Sequence, residues 1–323
     1  MNFIVLLGAG FSRNWGGMLS TDVFDYLLPA VQDHGDLRNI LWKHRKQGGF
    51  EAALAEVQQT YAHGPSPHHK AQLDILQDAI GRMFAIMDSA FASMPTMEFQ
   101  QHIEYLLRTF LVRFDAIFSL NQDLLIERHY LNDNVMLGSS GRWNGYQIPG
   151  IQRPPRGFTD IGTEKWTPRA SSEFRIEERL QPFIKVHGSS NWINAQGGQL
   201  MVMGGGKAAL IGQHPILEWN LATLREYLLR PNTRLMAIGY GFADDHINNL
   251  IGEGVDRGTL KIYIVDTVGL DSLDKNRAAT IYAPDAYFAR LQPHIIGVSK
   301  RVLRETFNND RVEHAKLMEF FKV

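Results

Sequence analysis

Among its 323 residues the sequence contains no cysteine, which removes disulfides, thiolate nucleophiles and every cysteine-ligated zinc site from consideration. It also lacks any apolar run approaching the ~20 residues of a membrane span, so no membrane association is expected. A charge excess of either sign is missing too: 33 basic residues face 34 acidic ones, for a formal net charge of −1. No global field draws such a chain to nucleic acid or an anionic membrane, and direct nucleic-acid binding is not expected. The residues before Gly8 offer neither a cationic leader nor a cleavage-site pattern, so the expected location is the cytoplasm. What remains is 44% hydrophobic and 21% charged, the composition of an ordinary globular protein.

Residues 3–7 form an uninterrupted apolar run that ends at Gly8-Ala9-Gly10, which predicts a buried parallel strand followed by a tight phosphate-type turn. Over residues 21–114 the spacing becomes helical, with Leu54 and Val57, then Leu73, Leu76, Ile80, Phe84 and Met87, then Ile103, Leu106, Leu107 and Phe110. This predicts a helical insertion over residues 21–113. Within it, Ser66-Pro67 pairs a capping residue with proline at the first helical position, so a helix should start there. Residues 114–120 return to strand composition and run into Asn121-Gln122-Asp123, with a short helix expected after them. Residues 132–179 crowd glycine, proline, tryptophan and arginine together, as in Pro149-Gly150, Arg153-Pro154-Pro155-Arg156 and Thr167-Pro168; this predicts a long irregular loop or small-strand region. Further strands are predicted at 182–186, 235–238 and 260–265, ending at His187-Gly188, Gly239-Tyr240-Gly241 and Asp266. Apolar strands that each deliver glycine or polar residues at their C-terminal ends describe an α/β fold. The expected core is a Rossmann-like parallel sheet built from residues 1–20 plus 114–323, with the helical insertion after the first strand.

Gly8, Ala9, Gly10, Ser12 and Arg13 offer backbone and side-chain donors to a pyrophosphate, although a tight strand-to-helix turn in any α/β protein looks the same locally. Arg13 stands where the dehydrogenase fingerprint G-x-G-x-x-G has its third glycine, and no acidic strand end follows ~20 residues on. Both departures count against hydride transfer. Asp266 ends a strand and reads either as a ligand of ribose hydroxyls or as a turn former. Asp244 reads as the cap of the helix carrying Ile247 and Leu250. His63, His68 and His69 have no carboxylate among them and read as a solvated loop, and Lys43-His44-Arg45-Lys46 as a solvated helix face.

Three ordered segments, Gly8-Ala9-Gly10-Phe11-Ser12, Ser119-Leu120-Asn121-Gln122-Asp123 and Lys185-Val186-His187-Gly188-Ser189, resemble the glycine-rich loop, the T-x-N-x-D segment and the catalytic His-Gly of the sirtuin family. Residues 238–248, Ile-Gly-Tyr-Gly-Phe-Ala-Asp-Asp-His-Ile-Asn, resemble a stretch of the sirtuin-like proteins of bacterial antiphage defence. The resemblance covers residues 1–20 and 114–268. It implies that NAD is the substrate and that its nicotinamide–ribose bond is cleaved through an oxocarbenium-like ribose. Asn121 would then orient a water beside C1′ and His187 would accept a proton near neutral pH, while Asp123 shapes the nicotinamide pocket and Gly239 lets a second loop approach the cofactor. The local alternatives are an Asx-turn for Asn121 and Asp123 and a hydrogen-bonded strand-end histidine for His187.

Deacylating sirtuins carry a zinc module of four cysteines beside the acyl-peptide cleft, and this sequence cannot build one. The implied activity is therefore that of an NAD glycohydrolase producing nicotinamide and ADP-ribose, with no metal expected, acting in antiphage defence by NAD depletion. Two alternatives share the same site: an ADP-ribosyltransferase, and a non-catalytic subunit that senses NAD or ADP-ribose. An unrestrained NAD hydrolase harms its own cell, so low basal activity, a homo-oligomer and a partner protein are expected; the resemblance suggests a HerA-type ATPase or an Argonaute-like protein.

Overall fold

The computed structural model describes residues 1–46, 48–94, 107–131, 142–154, 160–257, 259–274 and 284–322. Ile103 and Leu106 of the helical pattern, and Pro155-Arg156 of the irregular region, lie outside the described residues.

The strands are β1 (Asn2–Leu7), β2 (Ala116–Ser119), β3 (Gly145–Gln147), β4 (Ile151–Gln152), β5 (Thr167–Pro168), β6 (Leu180–Lys185), β7 (Gly188–Ile193), β8 (Gln199–Met201), β9 (Thr233–Ile238), β10 (Lys261–Val265) and β11 (Ile295–Ser299). Seven of them make one all-parallel sheet in the order β11-β10-β9-β1-β2-β6-β3. The fold is thus α/β around a parallel sheet. β1 lies inside it, with β2 and β6 continuing to one side and β9, β10 and β11 to the other. The chain reverses its winding between β1 and β9, and at such a switch point the turns after the two strands diverge and leave a crevice.

The helices are α1 (Ala9–Arg13), α2 (Ser20–Ala30), α3 (Gly35–His44), α4 (Gly49–His63), α5 (Pro67–Ser93), α6 (Leu107–Leu111), α7 (Leu125–His129), α8 (Lys207–Gly212), α9 (Pro215–Leu229), α10 (Asp245–Asp256), α11 (Asp271–Asp274), α12 (Pro284–Leu291), α13 (Leu303–Thr306) and α14 (Arg311–Met318). Pro67 stands at the start of α5 and the Ser66 hydroxyl accepts from the His69 amide at 3.1 Å, the cap that the dipeptide implies.

Alternation along β1 divides the interior in two. Val5 and Leu7 pack with the helical segment between β1 and β2, including Val23, Leu41, Leu54, Ile80 and Phe84. Ile4 and Leu6 pack on the other face with Leu224 and Leu228 of α9 and Ile247 and Ile251 of α10. The helical segment is therefore one of the two layers covering the sheet, and its apolar stripe is buried there. Of the two edge strands, β3 falls in the region predicted as a long irregular loop or small-strand region, and β11 follows 260–265, where the last strand was predicted; neither is buried along its length as the inner strands are. Among the described residues no helix is long and apolar enough to cross a membrane.

Candidate active site

A cavity of about 470 Å³ opens at the C-terminal edge of the sheet, over the β1/β9 switch point. Gly8, Ala9, Gly10, Arg13, Asn121, His187, Gly239 and Asp266 all line it. The first four follow β1 and the others follow β2, β6, β9 and β10, so the parallel sheet gathers residues far apart in sequence.

The floor is made by two glycine turns in backbone contact. Gly8 donates to the Ile238 carbonyl at 2.9 Å and Gly10 to the Gly239 carbonyl at 2.9 Å. Gly239 has φ +60, and a Cβ there would lie 2.3 Å from the Gly10 carbonyl carbon; only glycine meets both demands. The amides of Gly8 and Gly10 are thus engaged within the floor, and the expected approach of Gly239 is made to Gly10.

Asn121 is the first wall residue. Its Nδ2 donates to the Gly8 carbonyl at 2.9 Å and to the Ser12 hydroxyl at 3.0 Å, which leaves Oδ1 without a hydrogen bond to any described residue. Ser12 and Asp123 lie behind this wall rather than in it. The Asp123 carboxyl lies beside the Ser12 hydroxyl, which favours its charge, but burial raises its pKa despite the nearby Lys185. Asp123 Oδ1 accepts from the Leu125 amide at 3.1 Å, an Asx-turn ahead of α7. Of Asn121, Ser12 and Asp123, all buried, only Asn121 reaches the cavity.

Behind it lies a residue that sequence reading missed. Lys185 is 1% exposed, and its Nζ donates to the Asp123 carbonyl at 2.5 Å, the Glu127 carboxylate at 2.5 Å and the Ser189 hydroxyl at 2.8 Å. One ammonium thus ties the Asn121–Asp123 turn to the turn that follows His187. Gly188 has φ +76, and a Cβ on it would lie 2.1 Å from the Leu200 carbonyl oxygen, so the glycine after His187 is required by the hairpin of β7 and β8.

His187 is 2% exposed, and burial pushes its pKa down to about 3. It is neutral at physiological pH, the form a base needs, but it is a far weaker base than the expected near-neutral histidine. Its Nε2 faces the Nε2 of His246 at 2.9 Å. Burial also lowers the His246 pKa, against the pull of Asp244.

Beside the two rings Lys207, at the start of α8, bridges Glu51 of α4 at 2.6 Å and Asp244 at 2.8 Å. Asp244 precedes α10, yet its side chain makes no cap hydrogen bond there; Lys207 takes it instead. Burial resists the charge on Asp244, and Lys207 overrides it and holds the carboxyl below its usual range. Glu51 goes the other way, raised by burial. Burial likewise opposes the Lys207 charge, and the two carboxylates outweigh it and raise its pKa. Ligand atoms of His187, Asp244 and His246 lie within 4.8 Å of one another, a spacing that could hold a metal ion. Lys207 already supplies the positive charge on Asp244.

At the far end Asp266 Oδ1 accepts from the Val268 amide at 2.9 Å, the turn-forming reading, while the residue still lines the cavity. Arg13 is half exposed and pairs with Asp22 at 2.9 Å. No family model and no curated protein matches this chain.

Proposed function

We propose that this chain is a sirtuin-like NAD glycohydrolase, releasing nicotinamide and ADP-ribose. The observation that carries the reading is that Asn121 and His187 line one cavity together with the glycine turns at the switch point of a parallel sheet. Asn121 has a neutral amide oxygen without a hydrogen-bond partner among the described residues, suited to orienting water at C1′ without competing as a nucleophile. His187 is a buried, unprotonated imidazole at the cavity, where a proton from water or a ribose hydroxyl can be taken up once substrate is seated. A volume of about 470 Å³ lies in the range of small-molecule sites.

The balanced reaction is NAD plus water giving nicotinamide, ADP-ribose and a proton. In a cell it depletes NAD, the basis for a role as an antiphage effector restrained by assembly or a partner protein. Incubation with NAD, following free nicotinamide with and without a protein acceptor, tests the reading. His187→Ala and Asn121→Ala should each lower the rate by at least ~10²-fold with little change in folding. Near wild-type turnover in either variant refutes the assignment, and label transferred to the acceptor moves the activity to ADP-ribosyl transfer. Binding of NAD without nicotinamide release identifies a sensing subunit.

A further inference from the structure

We propose that His246 is a specificity-determining residue of this site, and that a vicinal diol of the substrate binds between the His187 and His246 rings, one hydroxyl to each imidazole. The inference rests on the ribose-cleaving reading above and deepens it. Two imidazole nitrogens facing each other at 2.9 Å make a single hydrogen bond, in which one Nε2 carries the hydrogen and the other offers its lone pair. While that bond stands, no hydroxyl can reach His187 Nε2. The Leu120 backbone lies beside the His187 ring and His246 occupies its Nε2, so a ligand engages that nitrogen by replacing His246.

Which ligand can do so follows from hydrogen-bond accounting. A single hydroxyl serves both rings only by seating between them, donating to one nitrogen and accepting from the other, whereas a diol gives each ring a hydroxyl of its own and leaves further donor and acceptor capacity free. Two adjacent hydroxyls satisfy both, because each can donate or accept as its ring requires. Ribose with a free 2′,3′-diol has this arrangement, and a ribose lacking either hydroxyl does not.

The surroundings favour rotation of a side chain over movement of backbone. His246 lies in the first turn of α10, and Asn248 anchors that turn by accepting from Tyr240 at 2.9 Å and donating to the Phe242 carbonyl at 2.8 Å. The charged groups around the pair are Asp244 on the same turn, Lys207 from α8 and Glu51 from α4. Lys207 lies between the two carboxylates and offsets one of their two charges, and a neutral diol adds no further charge to the group.

The test pairs a changed protein with a changed ligand. kcat/KM is measured for NAD and for analogues lacking the 2′- or the 3′-hydroxyl of the nicotinamide ribose, using wild type, His246→Ala and His246→Gln. Wild type should lose at least about tenfold on each analogue. His246→Ala should lose about tenfold on NAD and become indifferent to removal of one of the two hydroxyls. His246→Gln, which keeps a polar group at similar reach, should recover part of the loss with an unchanged thermal midpoint. Equal or faster NAD turnover by His246→Ala overturns the inference, as does undiminished sensitivity to both hydroxyls. Binding separates this inference from the broader one: ADP-ribose should bind His246→Ala about tenfold more weakly, while ADP, which lacks the second ribose, binds both proteins alike. If wild type binds ADP-ribose yet never cleaves NAD, the hydrolase reading fails and the affinity difference still supports the diol subsite. Equal ADP-ribose affinity in the two proteins overturns the subsite whatever the turnover.

Discussion

Two buried lysines stand near His187 and are used in opposite ways. Lys185 points away from the cavity into a closed set of partners, one carboxylate, one carbonyl and one hydroxyl, with 1% of its side chain and 1% of Glu127's exposed. Lys207 lines the cavity between two carboxylates, one from the helical layer and one from the turn after β9, with 14% exposed. The first lysine fixes where the motif residues stand. The second joins two layers across a space that a ligand must enter. A buried ion pair with a closed partner set resists disturbance, whereas one facing a cavity can be rearranged by what binds there.

The largest expected effect breaks the closed set. Lys185→Met leaves Glu127 buried without its cation, and Glu127 Oε2 already has no partner among the described residues. The expected cost is about 3–5 kcal/mol in urea unfolding. Replacing both partners, Lys185→Met with Glu127→Leu, should restore much of that stability while NAD turnover stays low, because the Asn121 and His187 turns are no longer tied together. Recovery of turnover along with stability would show that Lys185 does not position the site.

Next comes Lys207→Met, which leaves Glu51 and Asp244 facing one another. Its expected cost is roughly 1–3 kcal/mol, below that of Lys185→Met, but with the larger loss in kcat/KM per unit of stability lost. A reversed order of stability losses would break the comparison. Glu51→Gln then removes only the link to the helical layer. It should cost no more than about 1 kcal/mol, because the amide can still accept from Lys207 and no longer buries a charge that desolvation opposes, and it should raise basal NAD turnover if that layer restrains the site; unchanged turnover assigns restraint elsewhere.

Acid sharpens the contrast from another side. The folded-state pKa of His187, about 3, lies below its ordinary value of 6.5, so the unfolded chain binds a proton that the folded one refuses. The stability this contributes is complete above pH 6.5 and is lost as pH falls toward about 3. His187→Gln should flatten the decline of thermal midpoint across that window. Asp123 and Glu127, raised by burial, act in the opposite sense in both proteins, so the difference between them reports the histidine. The smallest effect concerns metal: dialysis against a chelator should leave thermal midpoint and turnover unchanged, and a loss of either would show that His187, Asp244 and His246 hold an ion.

The inner strands were legible because continuous apolar runs ended in glycine or polar residues, and their C-terminal ends do share one cavity. Asn121 and His187 could be named from their segments. Ser12 and Asp123 were named too, but their place behind the wall depends on packing that no local pattern encodes. Lys185 looked like an ordinary residue in a short strand, since its carboxylate comes from α7, 58 residues earlier. Glu51 has the spacing of a solvated helix face, and its partner lies in a different layer. Asp244 was read as a cap because its position before α10 fits, while the competing cation, Lys207, is 37 residues away. His246 was hidden for a related reason: a histidine beside a capping aspartate carries no signal until the other ring is placed against it.

During synthesis β1 gains β2 long before it gains its other neighbour, β9. Asn2 pairs with Thr233, 231 residues later, an interval of roughly 10–50 s at ordinary rates of synthesis. For that time the apolar run of β1 waits without β9, and the cavity floor, which needs both glycine turns, does not exist. A nascent or truncated chain therefore has no ligand site whatever its helices have done, so ligand binding reports completion of the sheet and can serve as a readout of its assembly.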